Sequence, residues 1–103
     1  MSKVKLTDYV VEFLQKKGIH DFFGYQGTMI AHLVDSIEKN PHVRSHSSYH
    51  EQGAAFAACG YAQAKNACGC AYATSGPGAA NLLSGVADAY FDSLPVIFIT
   101  GQL

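Results

Sequence analysis

Residues 68–81 have the sequence Cys68-Gly69-Cys70-Ala71-Tyr72-Ala73-Thr74-Ser75-Gly76-Pro77-Gly78-Ala79-Ala80-Asn81. The first half is apolar and predicts a buried strand over Cys68 to Thr74, and the glycines predict a turn over Ser75 to Gly78. Pro77 suits the first turn of a following helix over Ala79 to Tyr90, because a backbone amide at that position needs no helical partner. A buried strand that turns directly into a helix is typical of parallel α/β sheets.

The alternation of helix and strand continues on both sides of this unit. Apolar spacing predicts, in chain order, a helix over 7–17, a strand over 19–24, a helix from about 30 to 40, a weak strand over 43–49, a helix over 51–65 and a strong strand over 95–100. Thr7 is predicted to cap the first helix, and Gly18 to end it in the left-handed conformation. This order indicates a three-layer α/β/α domain with a parallel sheet in flavodoxin-like order.

Length and composition limit the classes of protein to consider. The chain has 103 residues, 49% hydrophobic and 15% charged, which fits one small globular domain, and its formal charge of -1 provides no basic surface for nucleic acid. Glycines and polar residues interrupt the uncharged segment 66–87, which argues against a membrane span. Three cysteines without a CxxC pair and an N-terminus without a signal sequence predict free thiols and a cytoplasmic location. Because the chain stops after its strongest strand, we expect residues 1–103 to be a partial domain truncated after its fourth strand.

A carboxylate lies at one predicted strand-to-helix junction, in the segment His50-Glu51-Gln52-Gly53-Ala54-Ala55. The small residues after Glu51 would let a large group pack beside a rigidly held carboxyl. Taken alone, Glu51 is more simply explained as a helix-starting acid, stabilised by about 0.3–1 kcal/mol through the helix dipole. The turn over Ser75 to Gly78, taken alone, is simply a tight turn, because it lacks the GxGxxG spacing and the P-loop lysine.

The predicted strands would deliver their following loops to one edge of the sheet. These loops contain Gly24-Tyr25-Gln26-Gly27, Glu51, the turn at Ser75 and Thr100-Gly101-Gln102. Ligands of parallel α/β proteins bind at this edge, so the convergence favours a binding site over separate turns. His46 and His50 could share a metal ion only if their segment were helical and a third ligand lay nearby, so no metal site is predicted.

Six short motifs can be considered together. They are His50-Glu51-Gln52-Gly53-Ala54-Ala55, Gly60-Tyr61-Ala62, Ala73-Thr74-Ser75-Gly76-Pro77-Gly78-Ala79-Ala80-Asn81-Leu82, Ala87-Asp88-Ala89-Tyr90, Asp92-Ser93 and Thr100-Gly101-Gln102. In combination, and in register from Leu6 to the last residue, they resemble the N-terminal pyrimidine-binding domain of thiamine-diphosphate-dependent enzymes of the acetolactate synthase type. The resemblance implies a lyase or transferase that decarboxylates 2-keto acids and forms carbon–carbon bonds, with thiamine diphosphate as cofactor.

The resemblance also implies roles for individual residues. Glu51 is similar to the family's catalytic glutamate, whose carboxyl shares a proton with a nitrogen of the cofactor's aminopyrimidine ring and so activates the cofactor. By the same similarity, the residues expected to line the pyrimidine pocket or the nearby substrate cavity are Gly27, Gly76, Pro77, Asn81 and Gln102. The chain departs from the family at Gln26 and Thr28, where members often have Pro and Gly, and at Cys59 and Gln63, which replace Asp and Arg.

Partners follow from the resemblance as expectations. In such enzymes a Gly-Asp-Gly motif and a later Asn in a C-terminal domain hold the diphosphate and its Mg²⁺, and that domain of one subunit completes the site with this domain of another. Those elements are missing from residues 1–103, so the chain alone is expected to be inactive. The small-faced segments 51–65 and 79–90 suggest a homodimer or higher oligomer.

Two other functions were weighed against the enzyme. A non-catalytic assembly or binding module that retains the scaffold is the alternative, although the intact Glu51 and Gly-Pro-Gly turn favour the enzyme. A nucleotide-binding flavodoxin-like domain is disfavoured because the chain has no phosphate loop. The residues leave open which keto acids react and whether the parent enzyme carries a flavin.

Overall fold

The computed structural model describes residues 3–102. Its helices are α1 (Leu6–Lys16), α2 (Ala31–Lys39), α3 (Glu51–Lys65), α4 (Pro77–Asn81) and α5 (Leu83–Phe91), with a short 3₁₀ helix at Thr28–Ile30 before α2. Its strands are β1 (Asp21–Gly24), β2 (Arg44–Ser47), β3 (Gly69–Ala73) and β4 (Val96–Thr100). Helices and strands alternate along the chain, as the sequence predicts.

The strands form one parallel sheet in the order β2-β1-β3-β4. Gly24 at the end of β1 pairs with Ser47 of β2 on one side and with Tyr72 of β3 on the other, and Ala73 pairs with Thr100 of β4. This is the flavodoxin-like order that the sequence predicts. β2 is added on one side of β1, and β3 and β4 are added on the other side, so the strand order reverses between β1 and β3. Proteins with α/β sheets bind ligands beside such a switch point.

Helices cover both faces of the sheet and create two cores. On one face, α1 and α2 bury Val11, Leu14, Leu33 and Ile37 against Phe22, Cys70 and Tyr72. On the other face, α3 packs Ala55 and Ala58 against Ala71 and Ala73, with Leu82 completing the cluster. Alternate residues of each strand point to opposite faces, and β1, β3 and β4 carry apolar residues on both faces, whereas the edge strand β2 is polar. The three-layer α/β/α prediction is confirmed.

The start of the first helix differs from the prediction. Lys5 precedes α1 with no side-chain cap, and Thr7 lies inside the first turn instead of capping it. The Thr7 hydroxyl lies 2.7 Å from the hydroxyl of buried Ser36 on α2, so it serves the contact between two helices. At the other end, Gly18 adopts a φ of +94°, the left-handed conformation that was predicted.

The helix predicted over 79–90 is interrupted. Leu82 separates α4 from α5, and its N–H donates to the carbonyl of Ala79, only three residues back. Gly85 then packs so closely on Ala55 of α3 that an added Cβ would collide with the Ala55 methyl. The break turns α5 toward this contact, and the hydrophobic spacing alone carries no sign of it.

The small face of α3 is used within the chain. Ala54, Ala55, Ala58, Cys59 and Ala62 are all buried against the sheet and α5. These small residues therefore pack within the domain and are not the surface available to a second subunit. Within residues 3–102, no helix combines the length and apolar character needed to cross a membrane.

Candidate functional site

The carboxyl ends of all the strands meet at one edge of the sheet, as the parallel order requires. Backbone hydrogen bonds extend the sheet pairing into the loops: the Ser48 N–H donates to the Gly24 carbonyl at 2.9 Å, and the Gly101 N–H donates to the Ala73 carbonyl at 3.2 Å. The loops after β1, β2, β3 and β4 therefore start side by side. This edge carries every residue that the family resemblance assigned to the cofactor.

Glu51 is the first residue of α3, and its neighbour His50 caps the helix. The ring nitrogen Nδ1 of His50 accepts a hydrogen bond from the Gln52 N–H at 3.1 Å. The cap holds the backbone of Glu51 at the positive end of the helix dipole, which favours a carboxylate. The Glu51 side chain is half-buried at the carboxyl edge of the sheet.

One predicted site residue contacts Glu51 directly. The Asn81 side-chain amide, at the end of α4, donates to Glu51 Oε1 at 3.4 Å. The two residues are thirty positions apart in sequence, and the turn after β3 brings them together. Asn81 thus restricts the orientation of a carboxyl that would otherwise rotate freely.

The turn between β3 and α4 supplies bare backbone beside these two side chains. Gly76 has a φ of +65°, and a Cβ placed there would meet no heavy atom within 4 Å. Pro77 follows as the first residue of α4, as the sequence predicts. A planar ligand could approach the exposed backbone at Gly76, since no side chain screens it.

Gly27 and Gln102 lie at the same edge without a recorded contact to Glu51. A Cβ on Gly27 would lie 2.6 Å from Thr74 Cβ, so this glycine allows the loop after β1 to pack on the end of β3. Gln102 is exposed, and its neighbour Gly101 packs against the Met29 carbonyl. A cavity of about 590 Å³ is lined in part by Gln26, Gly27 and Thr28, but Glu51 is not among its lining residues.

Thr74 connects these loops, and the sequence analysis did not single it out. Its hydroxyl accepts a hydrogen bond from the Met29 N–H at 3.2 Å. Its methyl group lies against Gly78, where an added Cβ would be 2.8 Å from Thr74 Cγ2. A hydroxyl residue at the end of a fully buried strand was the available signal, because such a group requires a partner.

The arrangement fits a nitrogen heterocycle. A carboxyl that is oriented by an amide can exchange a proton with a ring nitrogen, and the bare backbone at Gly76 leaves room for a flat ring next to it. Within residues 3–102, no cluster of three His, Cys, Asp or Glu side chains could hold a metal ion. The polar groups at this edge are the Glu51 carboxyl and the Asn81 amide, beside the exposed backbone at Gly76.

His46, which was weighed as a metal ligand, has a different partner. Its Nε2 lies 2.7 Å from Oδ1 of Asp21, and its ring stacks on Phe23 at a centroid distance of 4.8 Å. Arg44 donates to both oxygens of the same carboxylate, from Nε at 3.1 Å and from Nη2 at 3.3 Å. Burial raises the pKa of Asp21, but the hydrogen bonds from His46 and Arg44 outweigh it and hold the net pKa below its ordinary value.

Cys59 lies where the family resemblance expects an aspartate, and it makes an uncharged contact there. Its thiol donates to the Gly85 carbonyl at 3.5 Å in the buried contact between α3 and α5. Burial, and then the nearby Asp88 carboxylate, raise the pKa of the Cys59 thiol. The side chain therefore stays protonated at neutral pH and acts as a small packing residue, and it is a free thiol as the sequence predicts.

These features define a parallel α/β/α domain with a ligand-binding edge built around a helix-starting glutamate. The chain belongs to the family described as "Thiamine pyrophosphate enzyme, N-terminal TPP binding domain", which matches residues 4–103. The match covers almost the whole chain and confirms the resemblance found from the motifs.

Several curated proteins that are similar to the chain are plant enzymes. It is 46% identical over 102 residues to "Probable acetolactate synthase 2, chloroplastic" of Oryza sativa subsp. japonica. It is 44% identical over 99 residues to "Acetolactate synthase 1, chloroplastic" of Zea mays and 42% identical over 99 residues to "Acetolactate synthase, chloroplastic" of Arabidopsis thaliana. These matches cover 99%, 96% and 96% of the chain but only 15%, 16% and 15% of the respective relatives. The chain therefore corresponds to a small part of each relative.

Proposed function

We propose that this chain is the aminopyrimidine-binding part of a thiamine-diphosphate-dependent enzyme that decarboxylates a 2-keto acid and forms a carbon–carbon bond, as an acetolactate synthase does. The observation that carries the proposal is the placement of Glu51 at the carboxyl edge of the sheet, bonded to Asn81 beside the Gly76 turn. Membership in the thiamine pyrophosphate enzyme family and the identities of 42–46% to acetolactate synthases support it.

In this proposal, each residue at the edge has a separate task. Glu51 exchanges a proton with a ring nitrogen of the aminopyrimidine, and Asn81 keeps one carboxyl oxygen in place while it does so. Gly76 and Pro77 give the ring access to the backbone, and Gly27 and Gln102 line the space around it. Thiamine diphosphate would supply the nucleophilic carbon and the electron sink for decarboxylation.

The partners are part of the same proposal. Another domain of the enzyme, from a second subunit, would hold the diphosphate and its Mg²⁺, because residues 1–103 contain no Gly-Asp-Gly motif. We therefore propose that the active unit is at least a dimer and that the chain alone is inactive. A cytoplasmic location is proposed from the three free thiols.

The test is the substitution Glu51→Gln in the complete enzyme that contains this chain. A glutamine keeps the size and the contact with Asn81 but cannot exchange a proton, so we expect turnover of the 2-keto acid to fall about a hundredfold or more. The control is Glu12→Gln, which removes an exposed carboxyl of α1 that pairs with Lys16 at 2.9 Å.

Thermal unfolding should show the same stability for the parent enzyme and both variants, since neither substitution affects a buried packing contact. Unchanged turnover in Glu51→Gln would remove Glu51 from the mechanism, whereas absence of 2-keto acid turnover in the unsubstituted protein would favour the non-catalytic module. A loss of turnover in Glu12→Gln as large as that in Glu51→Gln would also contradict the proposal.

A further inference from the structure

A second open cavity lies at the opposite end of the strands from Glu51. It has a volume of about 530 Å³ and is bounded by the starts of β1 and β2 and by the last turn of α3. Its lining residues are His20, Asp21, Pro41, His42, Val43, Arg44, Tyr61, Lys65 and Ala67. It shares no residue with the loops around Glu51, so the proposed function leaves it without a role.

The side chains around this cavity are mostly hydrogen-bond donors or cations. Arg44 and Lys65 are positively charged, and Tyr61 adds a hydroxyl. Burial, followed by the nearby Asp21 carboxylate, raises the pKa of Tyr61, so this hydroxyl keeps its proton at neutral pH. His20 and His42 add two imidazoles. Such a set of donors is suited to an oxyanion.

Asp21 is the one acid among the nine lining residues, all of which belong to the described part of the chain. Its carboxylate is already occupied, because both oxygens accept hydrogen bonds from Arg44 and one also contacts His46. The Asp21 side chain is 8% exposed, whereas the Arg44 side chain is 73% exposed. The carboxylate thus lies beneath the guanidinium and fixes it, while the unused N–H groups of Arg44 face outward.

Lys65 completes the arrangement as a free cation. It is the last residue of α3, and no salt bridge is found for it within residues 3–102. With Asp21 neutralising one of the two cations, the cavity keeps a net positive charge in a chain whose formal charge is -1. An anion would therefore be attracted to this cavity.

From this geometry we propose that the cavity binds the phosphate group of a small anionic metabolite, with Arg44 and Lys65 as the main contacts. Arg44 can bind two phosphate oxygens with its planar guanidinium, and Lys65 acts as a compact point charge on a third. Arg44 lies on β2 and Lys65 on α3, so the two side chains could hold a phosphate from two sides of the cavity. The volume of about 530 Å³ leaves space for the organic part of the ligand.

The test is an NMR titration of the full chain with inorganic phosphate, at ionic strength kept constant with chloride. Saturable shifts are expected for the amides of residues 42–44 and 61–67 and not for those around Glu51. Lys65→Ala should weaken phosphate binding about 5- to 10-fold, because a charged hydrogen-bond donor is lost. Lys17→Ala is the matched control, since it removes the same charge from an exposed residue that does not line the cavity.

A second variant separates charge from geometry. Arg44→Lys keeps the charge beside Asp21 but loses the planar fork, and it should weaken binding by a similar factor while circular dichroism shows an unchanged fold. No saturable shift, equal weakening in Lys17→Ala and Lys65→Ala, or equally strong binding of malonate would each overturn the proposal.

Discussion

At the scale of the residue, Asp21 is the one buried charged residue within residues 3–102. Its side chain is 8% exposed and is held by Arg44 and His46. These donors favour the ionised form strongly enough to lower the pKa of Asp21 below its ordinary value, despite the opposing effect of burial. A carboxyl with a lowered pKa stabilises the fold above the pKa of the unfolded state and loses that contribution in acid.

The substitution Asp21→Asn should therefore have an effect that depends on pH. At pH 7 it should lower the free energy of unfolding by about 1 to 2 kcal/mol, because charged hydrogen bonds from Arg44 and His46 are weakened. The difference should shrink as the pH falls below about 3.9, where the parent's Asp21 begins to lose its charge in the unfolded state. Urea denaturation between pH 3 and pH 7 measures both values.

Glu38→Gln provides a control for this experiment, since Glu38 is an exposed carboxyl on α2. It should change the free energy of unfolding by less than about 0.5 kcal/mol. A difference between Asp21→Asn and the parent that is the same at pH 3 and pH 7 would contradict the role given to the charge.

At the scale of the element, the contact between α3 and α5 depends on the size of one residue. An added Cβ on Gly85 would collide with the Ala55 methyl group, whereas an added Cβ on Gly60, on the exposed side of α3, would meet nothing within 4 Å. Two chemically identical substitutions are thus expected to have opposite effects. The difference is that Gly85 lies on the side of α5 that contacts α3, whereas Gly60 lies on the exposed side of α3.

Gly85→Ala should lower the free energy of unfolding by about 1 to 3 kcal/mol, because the helices must separate to admit the methyl group. Gly60→Ala should raise it by about 0.5 to 1 kcal/mol, because alanine loses less conformational entropy in a helix interior. Thermal or urea unfolding of the two variants provides the comparison. Equal effects of the same sign would show that α5 does not pack on α3 as described.

Element boundaries show how far sequence patterns reach. The helix predicted over 51–65 is found with those bounds, because its alanine-rich body favours a helix. The structure adds that Asn66 ends it in the left-handed conformation, with a φ of 51°. The weak, serine-rich strand is also found, as Arg44–Ser47 at the polar edge of the sheet, where apolar residues are not required. The break at Leu82 was missed because it depends on the α3 contact, which is remote in sequence.

The candidate site was likewise only partly predictable from the sequence. Glycine turns and the helix-starting Glu51 could be found from local patterns, because each reflects the backbone conformation of a few neighbouring residues. The bond between Asn81 and Glu51, and the position of Thr74 between Met29 and Gly78, depend on how distant segments meet. The assignments of all six residues to the cofactor stay predictions: Glu51, Asn81, Gly27, Gly76, Pro77 and Gln102.

At the scale of the whole molecule, bulky apolar side chains remain exposed on the outer surface of α3 and α5. Four of them are Phe56, Leu83, Val86 and Tyr90, and Leu83 and Tyr90 are 63% and 79% exposed. On α5, the last three of these recur at the spacing of a single helix face. We call these four residues the α5 surface, and it is the surface that the proposed self-association would bury.

Leu83→Lys should weaken this association about tenfold or more, because a charge would be placed in an apolar contact. Leu6→Lys is the matched control: Leu6 is 75% exposed on α1, which covers the other face of the sheet. Sedimentation equilibrium of the full chain measures both dissociation constants. A parent chain that stays monomeric at high concentration would refute the proposed dimer, and equal weakening by both variants would exclude the α5 surface as its contact.

The strand order β2-β1-β3-β4 also bears on how the chain reaches its native state. Because every neighbouring pair is parallel, no two strands can join through a tight hairpin, and each pairing must wait for a helical crossover to close. The central pair, β1 with β3, encloses α2, β2 and α3 in its loop, so much of the entropy of ordering is lost before that pair forms. Such a topology favours slow, highly cooperative folding, with the nucleus built from contacts that are distant along the polypeptide.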